Sequence, residues 1–363
     1  MAFGPDGRLY VGQLDGSVLA LQLEKNAIVH AEAIAPTRVF GHVLGLAFNP
    51  AEPPDPVTLY VSHTVLFAGE AGAPYAGTIS RLVAPDFQPV DVISGLPVST
   101  GEHGTNGIAF DNEGRLYIAQ GATTNAGVPS QRHPRPETPL SGAILVADLR
   151  EPTFDGAVRY EPAETPGDDV DQVAGDVRVY ASGFRNPYDL VVHSNGNIYA
   201  TDNGPNIPDG IPSLSCLSGG VADVAAADEL NLVVEGQYYG HPNRNRGRFD
   251  EEECEYHGPE DGSGTSTAPL ATLGFHVSAN GIAEYTSDAF GGRLRGNLIY
   301  VEWNAGRIWR VVLSDDGQDV VAISQLNPHE FQDPIDVVVG PDGTVYVSQL
   351  FGPRITYLAP VIE

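Results

Sequence analysis

The sequence predicts an all-β chain folded as a single six-bladed β-propeller over residues 1–363, and three observations carry that expectation. A hairpin pattern recurs six times along the 363 residues. Gly 42 and Pro 29 punctuate the chain with no collagen period, together about a fifth of it against ~12% in average usage, which means many turns and few long helices. Helical periodicity is hard to find, and its best candidate, Val221 to Val234, is short and interrupted.

Each copy of the pattern is an apolar run, a tight turn, then an apolar run rich in aromatic residues. The first reads Phe3-Gly-Pro-Asp-Gly-Arg-Leu-Tyr-Val11, and the second Leu46-Ala-Phe-Asn-Pro50 with Leu59-Tyr-Val61. The third is Ile108-Ala-Phe-Asp-Asn-Glu-Gly-Arg-Leu-Tyr-Ile118, and the fourth Leu190-Val-Val-His-Ser-Asn-Gly-Asn-Ile-Tyr199. The fifth joins Gly281-Ile-Ala-Glu-Tyr285 to Asn297-Leu-Ile-Tyr-Val301, and the sixth is Val337-Val-Val-Gly-Pro-Asp-Gly-Thr-Val-Tyr-Val347. Asp-Gly and Asn-Gly pairs supply the positive φ that a tight hairpin turn requires. A hairpin alone cannot bury both faces, whereas six stacked radially leave few exposed strand edges. At about 60 residues per repeat the copies exceed the ~40–50 of common propeller repeats. The excess lies in long loops at 121–140 and 205–227. No outer strand precedes Phe3, which raises the expectation of an upstream segment, a leader among the options.

Charge narrows the function classes. Asp and Glu number 47 against 19 Lys and Arg, for a formal net charge of −28, and Lys25 is the single lysine. Such a surface repels phosphate backbones and anionic lipid, so neither nucleic acid nor membrane insertion is expected. No stretch approaches the ~20 apolar residues of a membrane span. A small-molecule or carbohydrate substrate suits the chain better, and the oligomeric state is left open. The acidity fits either a well-solvated surface or a saline habitat.

Cys216 and Cys254 are the only cysteines. Both fall in a loop-rich region, and a disulfide between them is the preferred reading, which points to an oxidising compartment. No signal peptide is visible at Met1. A secreted or periplasmic home is therefore expected, with the leader outside this chain.

Three polar clusters flank inner strands where turn chemistry does not require them. Gly101-Glu-His-Gly-Thr-Asn-Gly107 places His103 beside Glu102 at the start of the third repeat, where an imidazole suits general-base work near neutral pH. Gly183-Phe-Arg-Asn-Pro-Tyr-Asp189 sets Arg185 and Asn186 before the fourth inner strand. Thr201-Asp-Asn-Gly-Pro-Asn206 ends that hairpin in a turn whose carbonyls suit a hard cation. The plain alternative for each is a residue that satisfies buried backbone groups.

Read with Asp228-Glu-Leu-Asn231 and Tyr238-Tyr-Gly-His-Pro242, these clusters form a long ordered signature. It resembles the glucose/sorbosone dehydrogenase family, soluble quinoprotein sugar dehydrogenases built on a six-bladed propeller. The likeness is strongest from about residue 100 to 250. It implies hydride transfer from a sugar hydroxyl to pyrroloquinoline quinone, with calcium as a second cofactor. By that resemblance His103 is the base, and Arg185 and Asn186 contact the quinone. The carbonyls of Gly204 and Pro205 hold the calcium that polarises it. Glu229 and the carbonyl of Tyr239 hold a structural calcium, with Asp250 a looser candidate.

The chain departs from the family where the quinone's carboxylates are held. Asn304 stands at the position of a family lysine on the fifth repeat, and Asp333-Pro-Ile-Asp336 replaces arginines leading into the sixth. Gly121-Ala-Thr-Thr-Asn125 stands where the family has an Asp-Gln pair. Two other functions therefore stay open. One is a metal-dependent hydrolase or lactonase using Asn106, Asn186, Asn280 and Asp336 with His42 and His103 nearby. The other is a non-catalytic propeller that binds a glycan or protein through its long loops.

Overall fold

The computed structural model describes residues 1–35, 39–162, 167–352 and 354–360. Their strands form six antiparallel sheets around an axis, a six-bladed β-propeller, and two further two-stranded sheets. Blade 1 comprises Ala2–Phe3, Leu9–Gly12, Val18–Glu24 and Ala27–Ala35 from the axis outward. Blade 2 comprises His42–Phe48, Thr58–Thr64, Gly77–Val83 and Gln88–Leu96. Blade 3 takes Thr105–Phe110, Leu116–Gln120, Ala143–Ala147 and Arg178–Ser182. Blade 4 takes Pro187–Val192, Ile198–Asp202, Ala227–Val233 and Ala271–Phe275. Blade 5 is Ala279–Glu284, Leu298–Glu302, Arg307–Leu313 and Val320–Gln325, and blade 6 has three strands, Pro334–Val339, Val345–Gln349 and Arg354–Leu358.

All six sequence hairpins are the two inner strands of a blade. The turn glycines of the first and fourth copies, Gly7 and Gly196, have φ of 78° and 90°. Each second strand carries the repeated tyrosine (Tyr10, Tyr60, Tyr117, Tyr199, Tyr300 and Tyr346), and all six rings are buried. A buried ring of this type removes roughly 150–250 Å² from water, so one position per repeat supplies much of the packing between blades. The weakly helical segment 221–234 contains the blade 4 strand Ala227–Val233, because its apolar residues pair across a sheet rather than along one helix face.

The inner strands crowd at the axis. A Cβ at Gly281 would lie 2.6 Å from the Asp336 Cα, and one at Gly107 would overlap the Asp189 carboxylate. Bulges in the inner strands of blades 2 to 6 bend them at this depth. The start of each inner strand thus faces the same end of the axis as the second-to-third-strand loop of its blade.

The long loops gather at that end, joined by a two-residue contact between Gly127 and Pro212. The expected disulfide is present. Cys216 and Cys254 lie with Cα atoms 4.7 Å apart, tying the 205–227 loop to the short 3₁₀ turn Glu251–Cys254. Gly247 packs on that bond, and a Cβ there would lie 2.5 Å from each sulfur.

Candidate functional site

His103 immediately precedes the inner strand of blade 3, and its backbone N–H donates to Ser99 Oγ at 3.0 Å. The side chain is fully buried. Nδ1 lies 3.0 Å from the Ala122 carbonyl oxygen. A carbonyl only accepts, so Nδ1 carries the proton and Nε2 keeps its lone pair. Nε2 is buried with no protein partner. Burial, aided by the charge of Arg185 and by His133, holds the imidazole's proton affinity well below its ordinary 6.5. Glu102 plays no part in orienting it, because that carboxylate turns outward to Arg132 Nη2 at 3.1 Å.

Arg185 and Asn186 reach the same place from blade 4. A Cβ added at Gly121 would lie 2.8 Å from the His103 Cβ and 2.9 Å from Asn186 Oδ1, so the two side chains flank one glycine. Asn106 Nδ2 donates to Asn186 Oδ1 at 2.9 Å and to the Pro187 carbonyl at 2.8 Å. The Arg185 guanidinium is held by Asn125 Oδ1 at 2.7 Å and the Asn203 carbonyl at 3.0 Å. The backbone N–H groups of Arg185 and Asn186 both donate to Asp202, at 3.0 and 2.7 Å. Burial pushes that carboxyl up to about 7, against the pull of those two N–H groups and the Arg185 charge.

Gly204 and Pro205 lie where the second strand of blade 4 ends. The space beside Gly204 is closed to any larger residue, since a Cβ would sit 2.6 and 2.7 Å from the carbonyl oxygens of Ala227 and Ala226. Its N–H donates to Asp228 Oδ1 at 3.1 Å, while the Pro205 carbonyl accepts from Ala226 N–H at 3.3 Å. Glu229 pairs in register with Asp202 across the sheet. Burial, and the neighbouring Asp202 charge, push the Glu229 carboxyl up to about 8. Asn231 donates to Glu229 at 3.0 Å but leaves its own Oδ1 buried without a donor. Buried oxygens that lack donors call for a cation or protons, and that donor set matches a hard cation in kind. Among the described residues, no three His, Cys, Asp or Glu side chains converge to hold a metal by themselves.

Tyr239 stacks on Phe184 with centroids 4.5 Å apart, and its N–H donates to the Ser182 carbonyl. Asp250 is exposed and caps the 3₁₀ turn by accepting from Glu252 N–H at 3.2 Å. The carboxyls whose charge acts on Glu229 are Asp202 and Asp228. Asn304 is exposed and donates to the His276 carbonyl, and Arg307 is exposed too. Asp336 pairs with the Met1 amine. Of the remaining axial candidates, His42 Nδ1 accepts from Leu66 N–H at 3.0 Å, and Asn280 Oδ1 accepts from Ser278 Oγ at 3.3 Å.

Residues of the 121–140 loop complete the site. The Glu137 carboxylate is fully buried and accepts from the N–H groups of Thr123 and Thr124, from Ser141 Oγ, and from His241 Nε2 at 3.2 Å. Burial would raise its pKa, yet the hydrogen bonds from His241, Ser141 and Thr124 outweigh that and bring it to about 2. His133 stacks on His103. Local patterning offers no signal for either contact, since each joins positions on separate segments.

Fold and site together define a class, a propeller whose third and fourth blades present a buried imidazole, an arginine and a glycine-proline turn at one end of the axis. The chain belongs to the glucose/sorbosone dehydrogenase family, whose model matches residues 1–350. It is 24% identical over 264 residues to quinoprotein glucose dehydrogenase B of Acinetobacter calcoaceticus, covering 67% of this chain and 49% of that one. The chain thus spans about half the length of the curated relative it matches. Aldose sugar dehydrogenase from Streptomyces coelicolor, solved in its PQQ-bound form, superposes with a TM-score of 0.64 at 19% identity, over 97% of this chain and 91% of that one. The soluble aldose sugar dehydrogenase of Escherichia coli, in its apo form, gives 0.64 at 17% identity over 99% and 95%.

Proposed function

We propose that this chain oxidises a sugar hydroxyl by hydride transfer to a quinone, with His103 as the base. The observation that carries the reading is the buried, unpartnered Nε2 of His103, kept as a lone pair by the bond from Nδ1 to the Ala122 carbonyl. An atom of this kind, with Arg185 and Asn186 entering from the next blade, suits taking a proton from a hydroxyl. Its low proton affinity keeps it neutral at physiological pH. Family membership and relatives named for glucose and aldose oxidation support a sugar as substrate.

Pyrroloquinoline quinone, when bound with calcium, supplies the hydride acceptor. The residues of blades 3 and 4 fit such a group. Arg185 provides a fixed positive charge for oxygen that becomes negative, and Asn186 adds a polar contact beside it. Gly204 and Pro205 carbonyls would hold the calcium, and Glu229 with the Tyr239 carbonyl a second one. His103 Nε2 would take the proton of the sugar's C1 hydroxyl, and the quinone would supply the two-electron acceptor for the C1 hydride, so that a lactone is left. Asn304 and Asp336 bring no positive charge where the family resemblance places cations, which predicts weaker holding of a tricarboxylate. A secreted or periplasmic location accords with the disulfide.

The test is to add calcium and pyrroloquinoline quinone to the purified chain and follow dye reduction with a panel of aldoses. Sugar-dependent reduction that is lost in His103→Ala supports the reading. No reduction with any aldose at saturating quinone sinks it.

A further inference from the structure

We propose that His133 is the positioning residue for His103, and that the 121–140 loop completes the site by clasping the segment that carries the base. This rests on the reading of His103 as the base. The two imidazoles stack with centroids 5.3 Å apart and planes inclined by 23°. Both rings are buried, and Nδ1 of His133 has no protein partner. The preceding residues form a parallel contact, the Glu102–Arg132 ion pair at 3.1 Å. Two consecutive residues on one segment thus meet two consecutive residues on the other, with a charged pair outside and a ring pair inside.

Bonds from side chains to backbone carbonyls also hold these segments together. Thr100 Oγ1 donates to the Arg132 carbonyl at 3.0 Å, and Arg135 Nη1 donates to the Val98 carbonyl at 2.7 Å. His133 is set by its own turn, in which its N–H donates to Ser130 Oγ and its carbonyl accepts from Ser130 N–H.

The bond from Nδ1 to Ala122 fixes one edge of the His103 ring, and the tilt of the ring about that edge is left to packing on its face. The flat His133 ring at stacking distance sets that face and so fixes the plane in which Nε2 lies. Burial lowers the proton affinity of His133 to about 4, so near neutral pH it stacks as an uncharged ring. Flatness, rather than its nitrogens, is what the role requires. His133→Phe should therefore work where His133→Ala does not.

The experiment uses the full chain with labelled histidines. In His133→Ala the ring signals of His103 should lose their upfield ring-current shift, and the share of Nδ1–H tautomer should fall. Turnover should drop about tenfold, the order expected when a reacting group is loosened, with little change in KM. His133→Phe should restore the shift and return turnover to within about twofold of the parent. Unchanged His103 signals in a folded His133→Ala protein would overturn the proposal. So would a His133→Phe protein as impaired as the alanine variant. If His133→Ala does not fold, the phenylalanine variant alone decides by the same two readouts. If the signals move as expected but no variant, nor the parent, oxidises a sugar, the clasp stands and the proposed reaction fails.

Discussion

Nδ1 of His103 lies 3.0 Å from the carbonyl oxygen of Ala122, a bond between the start of one inner strand and the end of its neighbour in blade 3. A carboxylate in that position would stabilise imidazolium; a neutral carbonyl does so far less. His103 therefore has an orienting partner that leaves its proton affinity low, and catalysis should extend into mild acid.

His103→Ala should reduce turnover at least 10²-fold, the usual order for loss of a positioned base, with little change in melting temperature. The acid limb of kcat/KM in the parent should lie below 6.5, because burial depresses the folded-state pKa. Stability runs the other way. Below about pH 6.5 the unfolded chain takes up the proton first, so this group lowers stability as pH falls. An active but destabilised alanine variant would return His103 to a structural role.

Glu137 should be a stability residue rather than a catalytic one. Its folded-state pKa of about 2 lies below the ordinary 4.5, so its stabilisation is present above pH 4.5 and is lost as pH falls towards 2. Glu137→Gln should cost about 3 kcal/mol at pH 7, where a buried hydrogen-bonded charge is lost. The cost should shrink towards pH 2. Denaturant melts of both proteins at several pH values measure the difference, and a constant gap would contradict the assignment.

A cation near Glu229 and the Tyr239 carbonyl should show itself in stability. Adding a chelator is expected to lower the melting temperature of the parent, and Glu229→Gln should lose most of that response. Asp250→Asn should keep it, since Asp250 is exposed and caps a separate turn. A melting curve indifferent to chelator counts against the site.

Breaking the Cys216–Cys254 bond should destabilise the long loop and its surroundings. In the chain-entropy model a closed loop of this size is worth roughly 3–4 kcal/mol. Comparing denaturant midpoints of the parent with a Cys216→Ala, Cys254→Ala protein tests this. Equal midpoints would show that the loop is held by its other contacts.

Asn304→Lys should tighten quinone binding about two- to fivefold by placing a cation at a position that now carries none, an exposed pair being worth at most about 1 kcal/mol. Titration by absorbance gives the constant. A fold-neutral variant with unchanged affinity would place the quinone's carboxylates elsewhere.

The repeat was fully legible because hairpins are local. Asp6-Gly7 and Asn195-Gly196 encode turns within a few residues, and the alternation around Tyr10 or Tyr117 encodes a strand face. The site was legible in part. Arg185, Asn186 and His103 stand out because no turn or core needs them where they are. Asp250 entered only through the family resemblance, and its capping bond to Glu252 depends on a 3₁₀ turn that has no periodic signal.

By itself the sequence determined six blades, the positions of their turns, the disulfide partners and the segments that carry the candidate site. Only the tertiary structure decided which side chains meet there. Asn106 and Asn186 bond from 80 residues apart, Arg185 and Asn125 from 60, and His241 reaches Glu137 across 104. Those pairings follow from ring closure. Inner strands that crowd around glycines such as Gly107 and Gly281 bring successive strand starts to one point, and a buried polar group there must take whichever partner the closed ring presents.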